Sequence, residues 1–384
     1  MAGLTIAIFG SSLVSSCRNS AATYYRGIIR NLHKLGHSVT FYEPDNSERK
    51  LLRNMPDPDW ARVIIYPATE EGLYSSLESA KNSDLIIKTS SVGIFDELLE
   101  REVLLMKKEK NQVVFWDSDA PATLKRIREN IEDPFKKNIP QYDLILTLGG
   151  GEPIIKDYLF LGAVDCIPIY DALDPEIYFP VSTDHRLIAD LSFLGNRIPG
   201  YDKRINDYFF SVAERLPEMK FLLAGNGWKA KKKSENIEYL GRLDPLCHNT
   251  FNCSATAVLD INYNSMAGKG IFPSRRIFQA AGAGSCIITN KWEGLDRFFE
   301  PEKEMFMAAS GGEVEEIVKK LTPGAAAVVG TRALARAKAE HTYAHRARQL
   351  EKIFGVAERK KCRVMMPEMK IPSYSHFAWQ PTCG

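Results

Sequence analysis

The densest run of residues able to do chemistry lies between Val258 and Phe299. VLDIN is a short apolar run bounded by polar residues, the pattern of a buried parallel strand. A loop containing Gly268 and Gly270 follows, then Pro273 and Ser274, which mark a helix start with Ser274 as the N-cap. The helix SRRIFQAAGAG closes at Gly284, and CIIT is the next buried strand. A loop that delivers the chain to a helix N-terminus suits anion binding, because the first N–H groups and the positive dipole end face the ligand. Arg275 and Arg276 add two positive charges there. Ala280, Ala281, Gly282 and Ala283 have a plainer role, letting the helix sit close to the sheet. The whole constellation points to a diphosphate site.

Other candidates sit where strands end. Trp116-Asp117-Ser118-Asp119-Ala120-Pro121 closes a buried strand. Asp119 is the natural cap of the helix after Pro121; Asp117 is left as a candidate general base toward an acceptor hydroxyl, or a ligand for sugar hydroxyls. Gly149, Gly150 and Gly151 form a glycine run that permits close approach of a ligand or another chain. Gly10, Ser11 and Ser12 follow the first strand, in a loop that is not G-x-G-x-x-G, which counts against a nicotinamide or flavin enzyme. Gly195-Asn196-Arg197 and Gly225-Asn226-Gly227-Trp228 end two strands on the same rim as Ser274. Trp228 suits either stacking on a base or packing, and packing is commoner. His248 reads as a structural histidine. The run from Lys229 to Lys233 lacks the interleaved aromatics of a nucleic-acid groove. Cys17, Cys166 and Cys286 read as small core residues.

The elements that must position these residues repeat a simple pattern. LTIAIFG, SVTFY, RVIIY, DLIIKT, QVVFW, DLILTL and DCIPIY are short apolar runs separated by helical patterns, among them one from Asn19 to Leu35. The alternation predicts a doubly wound parallel sheet. A proline-rich, acidic stretch around Pro180 reads as a linker, and the pattern restarts with DLSFLG, KFLLAG, NIEYLG, VLDIN, CIIT and MFMAA. The expected division is 1–180, 181–329, a crossover helix over 330–354 and an extended tail over 355–384. The seven cysteines of the 384 residues are scattered with no C-x-x-C pair, which argues against a disulfide framework or a zinc site, and the net charge of +2 gives no general argument for nucleic acid or membrane. The expected setting is the cytoplasm, with no signal peptide or membrane span at the N-terminus.

Several stretches in chain order resemble the CgeB-like glycosyltransferases, the spore-maturation protein family of GT-B architecture. They are FLGNR, LLAGNGW, HNTFNCSATAVLDINYNSMA, FPSRRIFQAAGAGSCIIT, WEGLDRFFEP and AEHTYAHRARQLE, with WDSDAPATLKR, YDLILTLGGGEP and CIPIYDALDPEIYFPV upstream. The resemblance implies two Rossmann-like parallel-sheet domains across a cleft, the second holding a nucleotide-diphospho-sugar and the first the acceptor, with the last helix crossing back. It places Gly225, Asn226, Gly227 and Trp228 near the nucleotide, and Ser274, Arg275 and Arg276 near the diphosphate. Asn262, at the end of VLDIN, is counted with the donor. Gln279 stands where relatives usually have a glutamate opposite the ribose hydroxyls, and Ile271 stands where a paired acid would lie.

The expected activity is transfer of a sugar from a nucleotide-diphospho-sugar to an acceptor hydroxyl, a glycan or cell-surface component first, without a metal or other cofactor. Arg275 and Arg197 would stabilise the leaving diphosphate, and Asp117 would assist the attacking hydroxyl. Gly10, Ser11, Ser12, Asp119 and Gly149–Gly151 would line the acceptor side. The alternatives are a non-catalytic sugar-nucleotide-binding partner, or a transferase acting on a protein or a nucleic-acid base.

Overall fold

The computed structural model describes residues 3–14, 20–45, 56–91, 93–198, 200, 202–229, 234–262 and 270–355. Cys17, Asn19, Gly268, the lysines at 231–233 and the tail from 356 onward lie outside the described residues. The first sheet comprises β1 (Thr5–Phe9), β2 (Ser38–Asp45), β3 (Arg62–Pro67), β4 (Leu85–Thr89), β5 (Gln112–Asp117), β6 (Leu144–Thr147) and β7 (Cys166–Pro168). All pairings are parallel and the order is β3-β2-β1-β4-β5-β6-β7. Both faces are covered. Phe9, Ile86, Val113, Phe115 and Ile145 pack on one side, and Ile8, Ile87, Val114, Trp116 and Leu146 on the other. This is why these strands read as continuous apolar runs rather than alternating ones.

The second sheet repeats the scheme with β8 (Ala189–Leu194), β9 (Phe221–Ala224), β10 (Ile237–Gly241), β11 (Ala255–Asp260), β12 (Ile287–Asn290) and β13 (Phe306–Ala308), in the order β10-β9-β8-β11-β12-β13. In each sheet the chain winds outward one way and then reverses. The reversal falls between β1 and β4 in the first and between β8 and β11 in the second. Loops leaving the two strands at such a point diverge and open a crevice at the carboxyl edge.

The sequence suggests one helix over residues 330–354; the chain forms two, Pro323–Glu340 and Tyr343–Phe354. The break is imposed from a distance. Leu173 N donates to His341 O at 2.7 Å and Leu173 O accepts from Tyr343 N at 3.0 Å, so a strand-like pair replaces a helical turn. Thr342 then starts the new helix, its Oγ1 2.8 Å from His345 Nδ1. The first of the two helices packs on the helix Arg275–Gly282, and the second crosses to the helix Ser20–Lys34 beside the first sheet. Gly27 is required there, since a Cβ would lie 2.3 Å from the Tyr343 ring.

The two domains also meet through backbone. Gly150 N donates to Ile271 O at 2.7 Å, and Ile271 N donates back to Gly150 O at 3.1 Å. Gly150 has φ of +104° and Gly270 of +107°, and a Cβ on Gly270 would fall 1.9 Å from Gly150 O. The glycine run therefore serves close approach of chain to chain. What approaches is the second domain itself, so Gly149, Gly150 and Gly151 are buried under it and do not form an open acceptor surface.

Candidate active site

Two loops leave the second sheet at its reversal. The one after β8 is held by packing behind it: Trp228 Nε1 donates to Gly195 O at 2.6 Å, and the indole sits among Phe193 and Phe210. Asn226 N donates to Asn196 Oδ1 at 2.9 Å and Arg197 N to Asn226 O at 2.9 Å, which fastens this loop to the one after β9. Gly225 allows the approach, since with φ of +125° a Cβ would fall 2.1 Å from Gly195 O. The loop after β11 is fixed by Asn262, whose Nδ2 donates to Phe272 O at 2.7 Å and whose N donates to Asn290 Oδ1 at 2.6 Å.

Between them opens a cavity of about 480 Å³. Phe193, Gly195 and Asn196 form one wall, Asp260 and Asn262 the floor, and Ser274, Arg275, Arg276 and Gln279 the other wall. The volume falls within the ordinary range for small-molecule sites. Ser274 is the cap expected from the sequence. Its Oγ accepts from Ile277 N at 3.2 Å and donates to Asp260 Oδ1 at 2.7 Å. Asp260 is 1% exposed, and burial raises its pKa despite the Ser274 bond and the nearby Arg276 charge. Arg276 lies over the Phe193 ring at 5.9 Å, a cation–π contact that fixes the guanidinium at the wall. Arg275 Nε donates to Asp171 Oδ2 at 2.7 Å. Burial acts most strongly against its charge, but the Asp171 carboxylate together with Tyr343 and Tyr178 outweighs it, and its pKa is raised. Gln279 Nε2 donates to Tyr178 OH at 2.7 Å. The site thus offers two fixed cations, a helix N-terminus and neutral amides, a set suited to phosphate oxygens and hydroxyls.

Several expectations need correction, while the cap at Asp119 and the core placement of Cys166 and Cys286 are as expected. Asp117 is 0% exposed and both carboxylate oxygens are used inside the first domain. Tyr158 OH donates to Oδ2, and Asp119 N donates to Oδ1 at 2.9 Å. Burial raises its pKa, and it neither is exposed nor lines the cavity, so it is not placed to act as a base. Asp119 is the helix cap, accepting from Ala122 N at 3.3 Å. Trp228, at 1% exposed, is closed to a nucleobase because it fills the space behind Gly195. Arg197 lies on the rim outside the cavity lining, its guanidinium paired with Asp202. Gly225 and Gly227 likewise shape the loop without lining the cavity. Gly10 and Ser12 are buried and Ser11 is half-buried at the end of β1. Cys166 and Cys286 are core residues, each thiol pushed up to about 12 by burial. His248 stays near Arg276, with its pKa lowered by burial and then by that charge.

Comparison with known proteins places this geometry. Among solved structures, Anabaena HepE in complex with UDP and glucose is 12% identical, with 91% of this chain and 98% of that one aligned at a TM-score of 0.61. Sucrose-phosphate synthase from Thermosynechococcus elongatus is 14% identical, with 91% and 98% aligned at 0.61. An alpha-glucosyltransferase in complex with UDP and a 13-mer DNA containing an HMU base is 12% identical, with 92% and 99% aligned at 0.64. The fold is GT-B. Residues 204–352 also match the family described as glycosyl transferase-like, a span that contains most of the cavity. No curated protein matches the sequence.

Within the GT-B frame, sequence inspection missed three residues. Asp260 carries the same signal as Asp117, an acid at the end of a buried strand, but on the strand beside the reversal. Phe193 hides in a core run. Asp171 lies in the proline-rich connection, where nothing local marks it.

Proposed function

We propose that this chain is a glycosyltransferase that binds a nucleotide-diphospho-sugar in the second domain and transfers the sugar to an acceptor hydroxyl presented by the first. The observation that carries this is the cavity at the β8–β11 reversal, with Arg275, Arg276 and the Ser274-capped helix start on one wall. The GT-B fold, the family match over residues 204–352 and the UDP held by neighbouring structures support the donor class. The diphosphate is the leaving group. Its developing charge is met by the two arginines and the helix dipole, which are in place before reaction. These groups supply the positive charge a divalent ion would otherwise bring, so the reading is metal-independent. We assign the protein to the CgeB-like group on the stretches quoted above, with residues 181–329 as the donor part and 1–180 as the acceptor part. The acceptor is a glycan or cell-surface component, and the setting is cytoplasmic. Cys166, Cys247, Cys253 and Cys286 are free thiols, and among the described residues no helix is long and apolar enough to cross a membrane.

A second reading has one specific observation in its favour. The only carboxylate lining the cavity among the described residues is Asp260, and it is sealed under Ser274. A protein that binds the donor without transferring it would need no exposed acid there. A thermal-shift screen against nucleotide-sugars, with and without EDTA, tests binding; a ligand at a hundredfold excess over its Kd stabilises by about 2.7 kcal/mol. Release of nucleoside diphosphate from the ligand that shifts, with acceptor extracts present, separates transferase from binder. A shift with no release under any acceptor supports the second reading.

A further inference from the structure

The Arg275 guanidinium reaches the cavity wall with one nitrogen already engaged. Its Nε bonds Asp171 Oδ2 at 2.7 Å, and Asp171 Oδ1 accepts from Tyr343 OH. Asp171 is buried and lines no part of the cavity. The backbone around it is clamped as well: Arg346 Nε donates to Tyr170 O at 3.1 Å and Nη2 to Asp171 O at 3.4 Å. These residues come from three separate places, the cavity helix, the connection between the sheets and the last helix. The Tyr343 ring lies against Gly27, so the same network ends on the first domain.

A carboxylate beside an anion site works against anion binding unless its geometry gives something back. Here Asp171 takes only Nε. The two Nη nitrogens, which carry no hydrogen bond among the described residues, remain as the end-on fork that matches two phosphate oxygens. An untethered arginine samples many rotamers, and ordering it on binding costs affinity. Tethering through Nε removes that cost and sets the plane of the fork.

Resting on the nucleotide-sugar reading above, we propose that Asp171 is a positioning residue for the donor diphosphate: it orients Arg275 so that Nη1 and Nη2 face the cavity. Through Tyr343 it makes that orientation depend on the last helix being seated against the first domain. The docking of the two domains and the affinity for the distal phosphate are thereby joined in one hydrogen-bonded chain, Tyr343–Asp171–Arg275.

The test uses the full chain and paired probes, the mono- and diphosphates of uridine, guanosine, adenosine, cytidine and thymidine. Wild type should prefer one diphosphate over its monophosphate. Asp171→Asn keeps the shape and loses the charge, and Tyr343→Phe removes one hydroxyl; circular dichroism and Tm verify folding of both. Positioning predicts that Asp171→Asn weakens the diphosphate about tenfold, leaves the monophosphate within about twofold, and that Tyr343→Phe moves the same ratio by a smaller factor. Equal weakening of both probes, or an unchanged ratio, overturns the proposal and leaves the nucleotide-sugar reading intact. Absence of any diphosphate preference in wild type overturns that reading and the proposal with it.

Discussion

Asp117 and Asp260 look alike in the sequence. Each closes a buried apolar strand, each is 0–1% exposed, and burial raises the pKa of each. Their places in the sheets differ. Asp260 ends β11, which borders β8 at the reversal, so the chain leaves on diverging paths and a cavity opens above it. Asp117 ends β5, one strand beyond the reversal, and the helix Gly151–Phe160 closes over it by way of Tyr158. Identical local chemistry becomes a site component in one domain and a structural anchor in the other. Strand order decides which.

The comparison can be broken or sharpened by experiment. The largest effects concern stability against pH, because buried groups without ligand roles must show themselves there. Glu100 in the first domain is pushed up to about 7 by burial, with Lys88 and Arg126 acting against that rise and Asp96 and Asp133 adding to it. Its folded pKa exceeds the unfolded one. Its contribution is therefore full below the ordinary carboxylate range and lost as pH rises through about 7. His341, at the break between the last two helices, is lowered to about 4 by burial and then by Arg346 and Arg336. Its contribution is full above the ordinary histidine range and lost as pH falls through about 4. Urea unfolding at pH 5 and pH 8 should show Glu100→Gln gaining on wild type at pH 8 and His341→Phe gaining at pH 5. Each gain is on the order of 2–3 kcal/mol; parallel changes at both pH values would show that neither group titrates as described.

Next comes Tyr158→Phe. It leaves Asp117 Oδ2 buried without its donor and should cost about 1–3 kcal/mol. Donor affinity should stay unchanged; a loss of affinity would show that Asp117 reaches the site after all. Ser274→Ala should cost about 1 kcal/mol of stability through the lost cap. Unlike Tyr158→Phe, it should also weaken diphosphate binding, because it disturbs the cavity wall and frees Asp260. The smallest expected effect is that of EDTA, which should leave donor binding unaltered in a titration repeated with and without it.

Much of the fold was legible because parallel strands buried on both faces announce themselves as apolar runs. Among the described residues all thirteen strands fall on short runs readable in the sequence, the edge strands included, and Ser274 was readable as a cap from its place before RRIF. The positive-φ glycines at 149–151 signalled close approach, though not what would approach. Other features depended on partners distant in sequence. Trp228 went from stacking candidate to core because Phe193 and Phe210 enclose it. The helix break at His341 needed Leu173, and Asp171 acquired meaning only when Arg275 and Tyr343 arrived from either side. Local pattern reports which residues are buried; the order in which strands are laid down reports which buried ends face a ligand.

The most direct test is a calorimetric titration of wild type, Arg275→Ala and Tyr158→Phe with the nucleotide-sugar that gives the largest thermal shift. The cavity at the β8–β11 reversal requires one site per chain, affinity lower by about 10- to 100-fold in Arg275→Ala, and no change in Tyr158→Phe. Wild-type affinity retained in Arg275→Ala, or lost in Tyr158→Phe, would place the donor elsewhere and contradict the assignment.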